Sequence, residues 1–152
     1  MTAGTLARRE SLTGHRRTTG CVIVNADDWG RDRGTTDRTF DCIHIASVSS
    51  VSAMVFMADS ERAANLAKEA AIDVGLHVNL TTPFTSPKCP TRLAEHQTRV
   101  SRYLRSSRFA QVLFHPGLMG SFSYAVAAQL EEFTGLYGTA PDRVDGHHHM
   151  HL

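Results

Sequence analysis

Short apolar runs alternate with helix-forming segments along this chain, and that alternation limits its possible folds more than any other feature. Strands are predicted at Cys21–Asn25, Val48–Met57, Ile72–Leu80 and Arg143–Asp145. Helices are predicted from Thr36 or Asp37 to about Ala46, from Asp59 or Ser60 to Ala71, and from Ser123 to Gly138. Strands separated by helical crossovers predict a parallel sheet, so we expect a single α/β domain. The segments 26–36 and 81–92 read as loops, and the pattern assigns no structure between residues 93 and 120.

Charge and cysteine content narrow the class of protein. The 152 residues carry a formal net charge of +1, which gives no overall field that favours nucleic acid or a membrane surface. No run of eighteen apolar residues is present, so no membrane-spanning helix is expected. The three cysteines are widely spaced and form no C-x-x-C motif, which favours a reduced, cytoplasmic setting. Residues 1–19 are arginine-rich without an apolar stretch, and we expect a disordered tail before a domain at 20–152.

Asp27 and Asp28 follow the first predicted strand. Two adjacent carboxylates at a strand end repel each other unless they share a cation or a proton. A divalent metal held by one of them would relieve the repulsion and leave the other free as a base. Alternatively, the pair caps the next helix as an ordinary turn.

Histidines occupy the ends of two other predicted strands. His77 lies within Gly75–Thr81, and a dense cluster spans His147–His151. In parallel α/β sheets functional groups gather at the carboxyl edge, so these segments and the aspartate pair can converge on one point. In an extended segment alternate residues share a face, which would point His147, His149 and His151 the same way. The alternatives are a core histidine at position 77 and an expression tag at the C-terminus, although Met150 interrupts the cluster.

Three motifs in this order resemble the YdjC/ChbG-like carbohydrate deacetylase family, which includes chitooligosaccharide deacetylases and hopanoid-associated relatives. They are N-A-D-D-W-G at Asn25–Gly30, G-L-H-V-N-L-T at Gly75–Thr81 and P-D-R-V-D-G-H-H-H-M-H at Pro141–His151. The resemblance implies a parallel-stranded (βα) barrel-like fold. Because such a barrel takes roughly 250 residues, this chain corresponds to its N-terminal portion, apparently truncated to the first half.

The resemblance also implies a site and a reaction. Asp28, His77 and His147 would bind a divalent metal ion, Mg²⁺ or Zn²⁺, and Asp27 would act as general base. The substrate would be an N-acetylated carbohydrate, with no nucleic acid or membrane partner, and a homo-oligomer is left open. A non-catalytic metal-binding remnant of the family is the alternative. A phosphate-recognising surface on the arginines between Arg92 and Arg108 has less support, because such a repeat is usually a solvated helix face.

The sequence departs from the family pattern at four positions: Trp29 replaces phenylalanine, Thr36 asparagine, and Arg38 and Ala46 glycine. Arginine at a tight glycine position is expected to distort the loop around residue 38.

Overall fold

The computed structural model describes residues 22–107, 109–111, 113 and 115–149. Four strands form one sheet: β1 (Asn25–Trp29), β2 (Ser50–Ala53), β3 (Asp73–Val78) and β4 (Val144–Gly146). The helices are α1 (Arg33–His44), α2 (Ser60–Glu69), α3 (Thr91–Leu104) and α4 (Met119–Tyr137). The strands are parallel and lie in the order β1-β2-β3-β4. The predicted parallel α/β architecture is therefore confirmed.

The first strand lies further along the chain than the apolar pattern predicted. Pairing with β2 begins at Asn25, which lies opposite Ser50, and continues to Trp29. The run before it is outside the sheet, with Val22 83% and Ile23 75% exposed. The prediction of a strand at Cys21–Asn25 followed by a loop was therefore wrong, because hydrogen-bonding partners, and not apolar content, determine where the strand begins. Cys21 and the predicted tail at 1–19 lie outside the described residues.

Helix α3 was missed and α4 begins earlier than predicted. The buried stripe of α3 consists of Leu93, Gln97, Val100 and Leu104, so a glutamine interrupts its apolar period. Arg99, Arg102 and Arg105 lie on the exposed side of that segment, as expected of a solvated face. Helix α4 ends at Tyr137 and is followed by Gly138, whose φ of 83° is the left-handed conformation of a helix C-cap.

The structure places two of the substituted positions, Arg38 and Ala46, within α1 and just after its end. Arg38 lies inside α1, on its exposed face, so the predicted distortion of a loop at this position was wrong. Ala46 follows the end of α1 with a φ of 56°, a conformation that suits glycine better than alanine.

The two faces of the sheet differ in chemistry. One face packs against the helices through Val51, Ala53, Leu76 and Val78, which belong to the main core cluster. The other face is polar and carries Asn25, Ser50, Ser52, His77, Arg143 and Asp145, which are joined by hydrogen bonds. Within the described segments, no helix combines the length and hydrophobicity needed to cross a bilayer. The polar face therefore supplies the side chains of the candidate site.

Candidate metal centre

An irregularity in β1 brings the aspartate pair to the site. The register of β1 against β2 shifts between Ala26 and Trp29, and Asp28 has a φ of 63°. In a regular strand Asp27 and Asp28 would point to opposite faces. Here Asp28 turns towards the histidines at the carboxyl edge, while Asp27 remains exposed on the polar face. Left-handed backbone at a residue other than glycine is strained, and such strain is typical of functional sites.

Asp28, His77 and His147 converge as the sequence predicted. The Oδ1 atom of Asp28 lies 3.4 Å from Nε2 of His77 and 3.0 Å from Nδ1 of His147. Their candidate ligand atoms all lie within 4.8 Å of one another. Both imidazoles are buried, being 3% and 7% exposed. The three residues thus form one compact cluster, and their role as ligands stays a prediction.

The two oxygens of the Asp28 carboxylate have different surroundings. Arg31 donates from Nη1 to Oδ2 at 2.5 Å, and its Nε donates to Asp32, the N-cap of α1. Oδ1 is buried and has no hydrogen-bond donor among the described residues. A buried carboxylate oxygen without a donor, facing two imidazole nitrogens, fits a bound cation. The close approach of the His147 imidazole and the positive charge of Arg31 hold the pKa of Asp28 below its ordinary value.

Asp145 orients His77 from the side opposite Asp28. Its Oδ1 lies 2.6 Å from Nδ1 of His77, and its Oδ2 accepts a hydrogen bond from Ser52 at 2.6 Å. A carboxylate that holds the second nitrogen of a histidine is the usual support of a histidine ligand. This role of Asp145 was not predicted from the sequence. The signal was available, because parallel pairing places Asp145 directly beside His77.

Asp27 is the second acidic group of the site. Asn25 donates from Nδ2 to Oδ1 of Asp27 at 2.9 Å. Asp27, His77 and Asp145 also form a compact group of possible ligands. In that group Asp145 is already engaged with Nδ1 of His77 at 2.6 Å. The Nε2 side, where Asp28 and His147 lie, is therefore the better place for a cation.

The described part of the histidine cluster, His147–His149, adopts a tight turn and is not extended. His147–His149 form a short 3₁₀ turn in which His148 has a φ of 57°. The rings of His147 and His148 lie 3.8 Å apart between centroids, and Nδ1 of His148 lies 3.1 Å from Oγ1 of Thr81. The expectation that these residues form an extended segment was wrong, because the turn follows directly after β4. His151 lies outside the part of the chain that the structure describes.

Partial loss of hydration and the adjacent imidazole of His147 lower the pKa of His148. His148 is exposed and contacts the loop that follows β3 through Thr81. It therefore lies at the rim of the cluster and is not part of its buried centre.

A family model and the most similar curated proteins indicate one protein family. A family model described as YdjC-like protein matches residues 21–152. A chitooligosaccharide deacetylase of Proteus mirabilis (strain HI4320) is 32% identical over 132 residues, which cover 86% of this chain and 50% of the relative. A protein of the same name from Yersinia pestis (strain Pestoides F) is 30% identical over the same coverage. The chain thus spans about half the length of the curated relatives it matches.

A solved structure shows the same architecture. A protein of Enterococcus faecalis V583, assigned to cellobiose-phosphate cleavage, superposes with a TM-score of 0.61. The match covers 85% of this chain and 49% of that protein, at 22% sequence identity. At this identity the likeness supports the fold alone.

Proposed function

The chain belongs to the YdjC-like protein family, and on this premise we propose that it provides the metal centre of a carbohydrate deacetylase. The reaction would be hydrolysis of the acetamide of an N-acetylated sugar or oligosaccharide. The names of the curated relatives support this substrate class. The observation that carries the proposal is the buried, donor-free Oδ1 of Asp28 between the nitrogens of His77 and His147.

The donor set favours zinc over magnesium. Asp28, His77 and His147 would supply one carboxylate oxygen and two imidazole nitrogens, a combination that suits Zn²⁺, whereas Mg²⁺ prefers oxygen ligands alone. Three protein ligands leave room for further ligands, as in catalytic zinc sites. A divalent ion bound there would polarise the acetyl carbonyl and stabilise negative charge on its oxygen.

Asp27 is the proposed general base. It is exposed, adjacent in sequence to Asp28, and held by the amide of Asn25. Its carboxylate would accept a proton from a water molecule as the water oxygen bonds to the acetyl carbon. The carbon–nitrogen bond then breaks, and a proton must reach the departing amine to give acetate and the free amino sugar.

The test measures metal binding and acetate release together. The protein is stripped of metal, titrated with Zn²⁺ or Mg²⁺ by calorimetry, and then assayed on N,N′-diacetylchitobiose. Zinc binding that is lost in His77→Ala, together with zinc-dependent acetate release, supports the proposal. Zinc binding without acetate release supports the alternative of a non-catalytic metal-binding protein. Failure of the wild-type protein to bind either ion overturns the metal centre.

A further inference from the structure

A continuous path of hydrogen bonds crosses the polar face of the sheet. It runs from Asp27 to Asn25, Ser52, Asp145 and His77, through distances of 2.9, 2.9, 2.6 and 2.6 Å. The path joins the proposed general base to a proposed metal ligand without passing through the metal position. Ser52, in the middle, is 1% exposed, so solvent has almost no access to replace its hydroxyl.

Two hydrogen-bond donors beside the path fix the orientation of the Asn25 amide, and this orientation sets the direction of the bonds between Asn25, Ser52 and Asp145. Arg143 can only donate, and its Nη2 lies 3.5 Å from Oδ1 of Asn25, which also accepts from Ser50. The nitrogen of the Asn25 amide therefore faces Asp27 and Ser52. Ser52 accepts from that nitrogen and uses its single proton for Asp145.

The same reasoning determines the tautomer of His77. An ionised Asp145 can only accept, so Nδ1 of His77 must carry a proton when it lies 2.6 Å from Oδ1. Nε2 of neutral His77 is then left with a free lone pair on the side of Asp28 and His147. This is the tautomer that a ligand histidine requires at Nε2.

We propose that Ser52 is a positioning residue, which holds Asp145 and thereby keeps His77 in its Nδ1–H tautomer. Asn25 connects Ser52 to Asp27 by hydrogen bonds to both side chains. The inference rests on the proposed function for its link to catalysis, although the tautomer itself does not depend on activity. The proposed base and the proposed ligand are then aligned by one shared hydrogen-bond path, so a break in its middle affects both.

Ser50 provides a matched control for Ser52. Both serines lie in β2 on the polar face, both are 1% exposed, and both bond to Asn25. Only Ser52 contacts Asp145. Each variant removes a buried hydroxyl that bonds to Asn25, and Ser50→Ala also removes a hydrogen-bond acceptor of Arg143, but only Ser52→Ala breaks the path to His77.

The first measurement is made on metal-free protein. The ¹⁵N and ¹H NMR signals of the His77 ring, assigned by comparison with His77→Gln, report which nitrogen carries the proton and how quickly that proton exchanges. We expect a protected Nδ1–H in the wild type and in Ser50→Ala. In Ser52→Ala the signal should broaden or be lost, because Asp145 is no longer held.

The second measurement is Zn²⁺ affinity. Ser52→Ala should weaken it about tenfold, the usual effect of losing support for a ligand histidine, whereas Ser50→Ala should change it less than about twofold. Thermal unfolding of both variants controls for a general loss of structure. An unchanged His77 signal and unchanged zinc affinity in Ser52→Ala would overturn the inference, as would equal losses in the two variants. If the wild type binds no zinc, the proposed function fails, and the His77 signal alone decides the tautomer.

Discussion

Oδ1 of Asp28 lies 3.0 Å from Nδ1 of His147, although Asp28 belongs to β1 and His147 directly follows β4, far along the chain. This contact closes the cluster, because His77 approaches the same oxygen from β3. Asp27, its neighbour in sequence, contacts Asn25 and takes no part in this contact. Adjacent carboxylates therefore have separate surroundings, and substitutions of each should have separable effects.

Asn substitutions at positions 27 and 28 should affect different properties, acetate release and zinc binding respectively. Asp28→Asn removes the charged candidate ligand and should weaken Zn²⁺ binding at least tenfold. Asp27→Asn should retain zinc and lower acetate release by roughly 10²- to 10⁴-fold, because an amide cannot accept the proton of water. Calorimetry and an acetate assay on both variants make the test. If Asp27→Asn loses zinc and Asp28→Asn keeps it, the two roles are exchanged. If both variants keep zinc binding and acetate release, the two aspartates form only a turn.

Loss of the Asp145 carboxylate should reduce metal affinity although it lies outside the proposed ligand set. Asp145→Asn removes the charge that faces Nδ1 of His77, and zinc binding should weaken about 10- to 100-fold. Asp142→Asn, an exposed substitution nearby in the chain, is the control and should bind zinc like the wild type. Equal affinities in the two variants would contradict the orienting role of Asp145.

Glycine at position 46 should stabilise the protein. Ala46 has a φ of 56°, and replacing it with glycine relieves the steric cost of that conformation, by about 0.5–1 kcal/mol. Ala127→Gly, at an exposed position inside α4, should instead destabilise by about 1 kcal/mol. Urea denaturation of both variants measures whether the free energy of unfolding rises or falls. A destabilised Ala46→Gly would show that the left-handed residue carries no relievable strain.

A buried amide holds the end of β3 in place. Gln129 is fully buried, accepts from the backbone N–H of Asn79 at 2.7 Å and donates to the backbone oxygens of Asn79 and Ala125. Gln129→Leu leaves the N–H of Asn79 without its partner, so the free energy of unfolding should fall by about 1–3 kcal/mol. Glu131→Leu, on the exposed side of α4, should change it by less than about 0.5 kcal/mol. Similar values for the two variants would argue against this hydrogen bond.

The N-cap of α1 should make stability depend on pH in the acid range. Hydrogen bonds from Thr35 and Arg31 lower the pKa of Asp32 from 3.8 to about 2. Because the folded pKa is depressed, the contribution of this carboxylate is complete above about pH 4 and is lost as the pH falls towards 2. Asp32→Ala should therefore unfold at lower urea than the wild type at pH 6, with the difference shrinking below pH 4. Asp41→Ala in the same helix is the control, and a difference that stays constant down to pH 2 would contradict the assignment.

The sequence predicted the architecture better than the limits of its elements. Alternating apolar and helical segments are local signals, and they were sufficient for the parallel order. The start of β1 depends on its pairing with Ser50, which no local window contains. Helix α3 was missed because Gln97, one of its inward-facing residues, is polar and bonds to the backbone oxygen of Thr82.

The candidate site was predictable where motifs mark strand ends and not where partners lie across the sheet. Asp28, His77 and His147 follow from strand-end motifs and the family resemblance. Ser52 was read only as part of a strand, because its partner Asp145 lies far away in the chain and is brought close by the order of the strands. The left-handed backbone of Asp28 could not be predicted either, because no glycine at this position indicates a positive φ.

Trp29 is fully buried, and its Nε1 donates to the backbone oxygen of Ala63 in α2. It is the only tryptophan of the chain and directly follows Asp28. Tryptophan emission from this protein therefore comes from a single position, one residue from the proposed metal ligand and joined to the helical layer. The protein thus contains an intrinsic fluorophore, whose intensity can follow metal titration and whose wavelength can follow unfolding without an added label.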